Sequence, residues 1–83
     1  MKTLQELRDE VDRADDAIAS ALAARFAATD EIGRLKHARG AAVDMPGRER
    51  EILDRVAAKL PREIAEPVWA EIFRVSKNRQ NGG

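Results

Sequence analysis

The sequence predicts an all-α protein with three helices per chain, one long and two shorter, that pairs with a second copy of itself. Three observations carry this expectation. From Thr3 to Arg39 an unbroken helical repeat sets Leu4, Leu7, Val11, Ala14, Ile18, Ala21, Arg25, Ala28, Ile32, Leu35 and Arg39 on the a and d positions of a heptad. Two shorter apolar-periodic stretches follow, separated by proline. No stretch shows the alternation of a half-buried strand, and there is no internal repeat or low-complexity segment.

The first helix opens on a capping box. Thr3 is the expected N-cap, and Glu6 reaches back to it. Its outward positions are charged, as at Asp9, Glu10, Asp12, Arg13 and Asp16, while Ala14, Ala21 and Ala28 leave room for a close neighbour. Gly33 costs a helix about 1 kcal/mol against alanine, and close packing by a neighbouring element is the general reason for tolerating it. Gly40 is the expected C-terminal stop, with Arg39 suited to the negative end of the dipole. Residues 41–43 read as a short loop and Asp44 as the N-cap of a second helix, with Pro46 in its first turn. Ile52, Leu53, Val56 and Leu60 form its apolar face, and Pro61 closes it. A third helix starts between Pro61 and Pro67, with Pro67 in its first turn or at a kink. Ala65, Val68, Trp69, Ile72 and Phe73 make its apolar side, and Trp69 reads as core. Ser76, Arg79 and Gln80 continue the stripe, and residues 81–83 read as a frayed tail.

The whole chain, residues 1–83, reads as one small domain. Lys plus Arg equal Asp plus Glu at 15 each, which argues against a nucleic-acid or anionic-membrane partner. There is no cysteine for a disulfide, thiolate or nucleophile, and one histidine cannot build a metal site alone. No apolar run approaches the roughly 20 residues of a membrane span, and no signal-peptide core is present, so a soluble cytoplasmic protein is expected. Apolar residues reach 43%, but many are alanine and aromatics are only 4%, so a single-chain core would be thin. A first helix of this length would run roughly 54 Å, against a radius of gyration of about 12 Å for a compact chain of this size. It must overhang any fold one copy can make. An intertwined dimer is the natural way to cover it.

Three polar features stand where apolar residues are expected. Arg25 occupies an a position, and Lys36, eleven residues on, is offset by only about 20° around the helix. Ser76 and Gln80 are four apart at the end of the third helix's stripe. Arg48 and Glu49 precede the apolar face of the second helix. Each has a bland reading: a register device or buried ion pair for Arg25, a snorkelling surface residue for Lys36, a solvated first turn for Arg48 and Glu49, a fraying end for Ser76 and Gln80. His37 reads as exposed, with no role assigned. Taken together, Arg25 and Lys36 lie about 16 Å apart along the axis, close enough for their long side chains to converge on a small anion. A dicarboxylate is the natural guess, because guanidinium matches carboxylate in bidentate fashion. Arg8 is a candidate for the second carboxylate, but it stands about 25 Å from Arg25 along the same rod. Only the Arg8 of an antiparallel partner helix could reach the same ligand.

The stretches LQELRDEVDRADDAIASALAARFAATDEIGRLK, VDMPGREREIL and VWAEIFRVSKNRQ, with Arg8, Arg25, Lys36, Arg48, Glu49, Ser76 and Gln80 at their spacings, resemble the all-helical chorismate mutases of the small intertwined-dimer class. The resemblance covers essentially the whole chain. It implies a six-helix homodimer with two active sites, each borrowing one Arg8 from the other chain. It also implies conversion of chorismate to prephenate by a concerted pericyclic shift that needs no nucleophile, cofactor or metal. Arg25 and the partner's Arg8 would clamp the two carboxylates. Lys36 and Gln80 would donate to the ether oxygen, Glu49 would accept from the ring hydroxyl, Ser76 would touch a carboxylate and Arg48 would orient neighbouring charges. One position departs: Met45 stands where the family pattern has Asp, and Asp44 lies one place earlier. Either the loop threads differently and Asp44 reaches the site, or Asp44 is only a helix cap. The departure is compatible with a weak enzyme or one helped by a partner, such as a shikimate-pathway enzyme. Other activities on the same clamp are isochorismate pyruvate elimination and rearrangement of an amino analogue of chorismate. A non-catalytic helical dimerisation module is the remaining alternative.

Overall fold

The computed structural model describes residues 1–40 and 46–82, which form three helices: α1 (Leu4–Arg39), α2 (Pro46–Val56) and α3 (Arg62–Gly82). No strand occurs among the described residues. The expected loop at residues 41–43, the Asp44 cap, the Met45 departure and Gly83 lie outside them.

Helix α1 begins and ends on the signals in its sequence. The Thr3 hydroxyl accepts from the Glu6 amide at 3.1 Å, and the Glu6 carboxylate accepts from the Thr3 amide at 3.0 Å. These bonds satisfy two amides that the helix itself leaves unpaired. At the other end Gly40 adopts φ 70°, a left-handed conformation that glycine takes without strain, and its amide returns to the carbonyls of Lys36 and His37. The 36 residues between run roughly 54 Å, and the molecule's longest dimension is 56 Å. Its radius of gyration is 15.9 Å, against about 12 Å for a compact chain of this length.

Helix α2 stops at Val56, one turn short of the Leu60 expected from its apolar stripe. The cause is local. Leu60 precedes Pro61, whose ring disfavours helical backbone in the residue before it. The chain turns instead, with the Lys59 and Leu60 amides both donating to the Val56 carbonyl. Helix α3 then starts at Arg62, inside the expected window, and the Pro61 carbonyl accepts from Ile64 and Ala65 at 2.9 Å each. Pro67 lies beyond the first turn and cannot donate to the Glu63 carbonyl, yet the helix continues through it. Asn81 and Gly82, expected to fray, are helical.

Helix α3 packs on both α1 and α2, which do not pack on each other among the described residues. The core is correspondingly small. Among the described residues only Ala65 and Phe73 are buried apolar side chains. Residues 11–21 of α1 are exposed throughout. Leu4, Leu7, Val11 and Ile18 keep between 46% and 64% of their surface open, so the apolar stripe is uncovered along the N-terminal half of the rod. Among the described residues no helix is long and apolar enough to cross a membrane.

Candidate active site

The C-terminal half of α1, the length of α2 and the last four turns of α3 line a cleft of about 510 Å³, within the range that holds small molecules. Helical spacing decides what each element shows it. Helix α1 contributes Arg25, Thr29, Ile32 and Lys36, successive positions on one face. Helix α2 contributes Arg48, Glu49, Ile52 and Arg55, and α3 contributes Trp69, Phe73, Ser76, Lys77 and Gln80. Six of the seven candidate residues therefore line one cleft. The seventh, Arg8, is exposed on the uncovered half of α1 and is not part of the cleft wall.

Arg25 is the best-held of the cleft's cations. It is half-buried, and its Nη1 donates to the Ser76 Oγ at 3.0 Å. Its guanidinium carbon lies 5.7 Å from the Phe73 ring centroid, within cation–π range. Ser76 is only 5% exposed, and its hydroxyl has Arg25 as partner, so it is a built contact and not a fraying end. No carboxylate pairs with Arg25 among the described residues. Burial first, and then the neighbouring Arg48 charge, lowers the Arg25 pKa from its ordinary value. A guanidinium stays protonated regardless. Both causes describe a cation whose charge is partly desolvated and unmet, and that an anion would stabilise.

Lys36 and Gln80 are half-buried along the same wall. Glu49 is half-buried too, and its carboxylate accepts from the Lys77 ammonium at 3.0 Å. Arg48 is exposed and pairs with Glu51 at 3.4 Å, within its own helix. Trp69, expected as core, is half-buried and lines the cleft. Among the described residues the cleft thus carries five cations, Arg25, Lys36, Arg48, Arg55 and Lys77, against the carboxylate of Glu49. In a chain of zero net charge this is a local concentration of positive potential, suited to a small polyanion.

Lys77 and Arg55 were not singled out from the sequence. Arg55 was within reach, since seven residues from Arg48 is two turns and the same face. Lys77 adjoins Ser76 but looks like any charge at the edge of a stripe. A third feature was also missed. The Arg79 guanidinium grips the Asp30 carboxylate through two bonds of 3.0 and 2.6 Å and lies 5.8 Å from the Phe26 ring centroid. The Arg79 hydrogen bonds hold the Asp30 carboxyl below its ordinary pKa.

Comparison with known proteins agrees with this geometry. Residues 7–81 match the family described as chorismate mutase type II. Over 71 residues, 86% of this chain, it is 36% identical to a bifunctional chorismate mutase/prephenate dehydratase of Aquifex aeolicus (strain VF5), of which the match covers 19%. The chain therefore spans about a fifth of that relative's length.

Proposed function

The chain belongs to the chorismate mutase type II family, and on that premise we propose that it rearranges chorismate to prephenate in clefts shared between two copies. The observation that carries the reading is Arg25: a half-buried guanidinium, held by Ser76 and Phe73, in a cleft where the described residues supply five cations and one carboxylate, which does not meet it. A dicarboxylate substrate supplies the missing charge.

The reaction breaks an ether bond and forms a carbon–carbon bond in one concerted step, so no group on the protein becomes covalently involved. A millionfold acceleration requires about 8 kcal/mol off the barrier. Two effects can provide it. Clamping a flexible dianion in its reactive chair removes much of the entropic part. Donors fixed around an oxygen that gains negative charge provide the electrostatic part. Arg25 takes one carboxylate, with Ser76 both fixing the guanidinium and offering a second polar contact. The Lys36 ammonium and the Gln80 amide donate to the ether oxygen, and these bonds strengthen as the bond breaks. Glu49 accepts from the ring hydroxyl, while the Lys77 ammonium holds its carboxylate in place. Arg48 adds to the positive field at the mouth.

The second carboxylate falls to Arg8 of the other copy. Support for the homodimer is the open apolar stripe of Leu4, Leu7, Val11 and Ile18, which runs along the same half of the rod that carries Arg8. A core with only two buried apolar side chains among the described residues also leaves one copy poorly stabilised by itself. The cytoplasmic setting and an association with an enzyme that uses prephenate belong to the same proposal. The relative's joining of mutase and prephenate dehydratase in one chain supports the latter.

The test is product analysis of chorismate incubated with the purified protein beside Arg25→Ala. Prephenate formed by the parent and lost in the variant is the expected result. Pyruvate release would indicate elimination in place of rearrangement and refute the mutase reading, as would absence of turnover by both proteins.

A further inference from the structure

Gln80 sits in the last turn of α3, where helical carbonyls have no amide partner of their own. Its carbonyl is nevertheless satisfied. The His37 ring on α1 approaches it through Nε2 at 2.5 Å. A carbonyl can only accept, so His37 Nε2 carries the hydrogen, in either the neutral or the charged ring. The contact joins positions 43 residues apart and is the most C-terminal hydrogen bond between α1 and α3 among the described residues.

Two neighbours act on the same turn. Gly33, one helical turn before His37, is buried against Gln80. A methyl group at Gly33 would stand 2.9 Å from the Gln80 Cγ and 3.3 Å from its Cα. The absent side chain thus sets how closely the Gln80 backbone approaches α1. One residue before Gln80, Arg79 is fixed by Asp30 through its paired bonds. Asp30, Gly33 and His37 follow one face of α1 at spacings of three and four, and together they meet residues 79 and 80.

From this juxtaposition we propose that His37 is a positioning residue for the rearrangement. It anchors the Gln80 carbonyl from α1, so that the last turn of α3 cannot unwind and the Gln80 amide is presented to the cleft at a fixed height beside Lys36. This rests on the chorismate reading of the cleft. The side chain that acts is Gln80; His37 acts through it. The physical need is plain. A donor that must meet a developing charge gains little from a frayed helix end, and a site group displaced by about 1 Å can cost a hundredfold in rate.

The experiment compares His37→Leu, which keeps bulk and removes the donor, with His37→Gln, whose amide can restore it. Steady-state kinetics on chorismate are measured for both, alone and in a Gln80→Ala background, with amide hydrogen exchange across residues 78–82. For His37→Leu a fall in kcat of about tenfold at nearly unchanged KM is expected, because the interaction lost is one made in the transition state. His37→Gln should recover most of it. In the Gln80→Ala background His37→Leu should have no further effect, and exchange in the last turn should quicken wherever the donor is missing. An unchanged kcat, an equal loss with and without Gln80, or unchanged exchange would overturn the proposal. A parent protein without turnover would sink the chorismate reading, and the exchange measurement would then decide the anchoring by His37 independently.

Discussion

Replacing Gly33 by alanine sets two effects of similar size against each other. In a helix interior alanine is favoured over glycine by about 1 kcal/mol, through backbone entropy. At an open position that gain would raise the melting temperature of a domain of this size by about 4–8 °C. Gly33 is not open. The added Cβ would lie 2.9 Å from the Gln80 Cγ, 3.1 Å from its Cβ and 3.3 Å from its Cα. Carbon atoms rest at about 3.5–4.0 Å, so Gln80 would have to retreat by several tenths of an ångström. Rotating the end of its side chain does not suffice, because the Cα itself is too close. Overpacking of this kind costs about 1–3 kcal/mol, which cancels or exceeds the propensity gain. The expected outcome is a melting temperature unchanged or lowered by several degrees, with kcat reduced about tenfold or more as the Gln80 amide moves. The assay is thermal unfolding at one fixed protein concentration, since association would make the midpoint concentration-dependent, together with initial rates on chorismate. A clear rise in melting temperature with undiminished kcat would refute the close α1–α3 approach at this point.

Three further outcomes are expected. Arg25→Met should change the melting temperature little, because relief of a partly desolvated cation that no carboxylate meets among the described residues offsets the loss of the Ser76 partner, and the stabilisation by chorismate seen with the parent should vanish; a large loss of stability without ligand would instead make Arg25 structural. Asp30→Asn should destabilise at neutral pH. Because Asp30's folded pKa is depressed, that stabilisation is present above the ordinary carboxylate value of about 4 and is lost as pH falls through the lower folded value. Parent and variant should therefore converge in acid denaturation curves below about pH 4, and a gap that persists there would detach it from the Arg79 pair. Mixed Arg8→Ala and Arg25→Ala chains should recover about a quarter of parental activity, since in a symmetric dimer half the pairs are mixed and each restores one of two sites. No recovery after demonstrated subunit exchange would exclude a shared site.

The long helix was legible because its signals are local and redundant: the heptad stripe, the Thr3–Glu6 box and the Gly40 stop all sit within a few residues of what they control. Four of the six cleft residues were legible for a related reason: Arg25, Lys36, Ser76 and Gln80 are polar side chains on otherwise apolar helix faces. Arg48 and Glu49 precede such a face, read alone as a solvated first turn, and stood out only through the spacing shared with the family. The end of α2 misled because two local rules conflict: Leu60 continues the stripe, but it precedes Pro61, and the proline prevails. Residues 81 and 82 misled in the opposite direction. Their composition suits a loose end, yet they continue the turn whose Gln80 carbonyl accepts from His37 across the seam. Lys77 against Glu49, Arg79 against Asp30 and His37 against Gln80 are contacts between distant positions, and no periodicity in one helix can announce its partner on another.

Helix α3 is the only element that touches both of the others, and it is made last of the three. While the chain is still on the ribosome, α1 and α2 emerge as two segments with no mutual packing to reward their order. At about 5–20 residues per second, several seconds separate the arrival of Leu4 from that of Phe73. For that interval the apolar rod lacks the third helix that packs on it. A stall before residue 73 would therefore leave an exposed apolar rod open to aggregation instead of a smaller version of the fold.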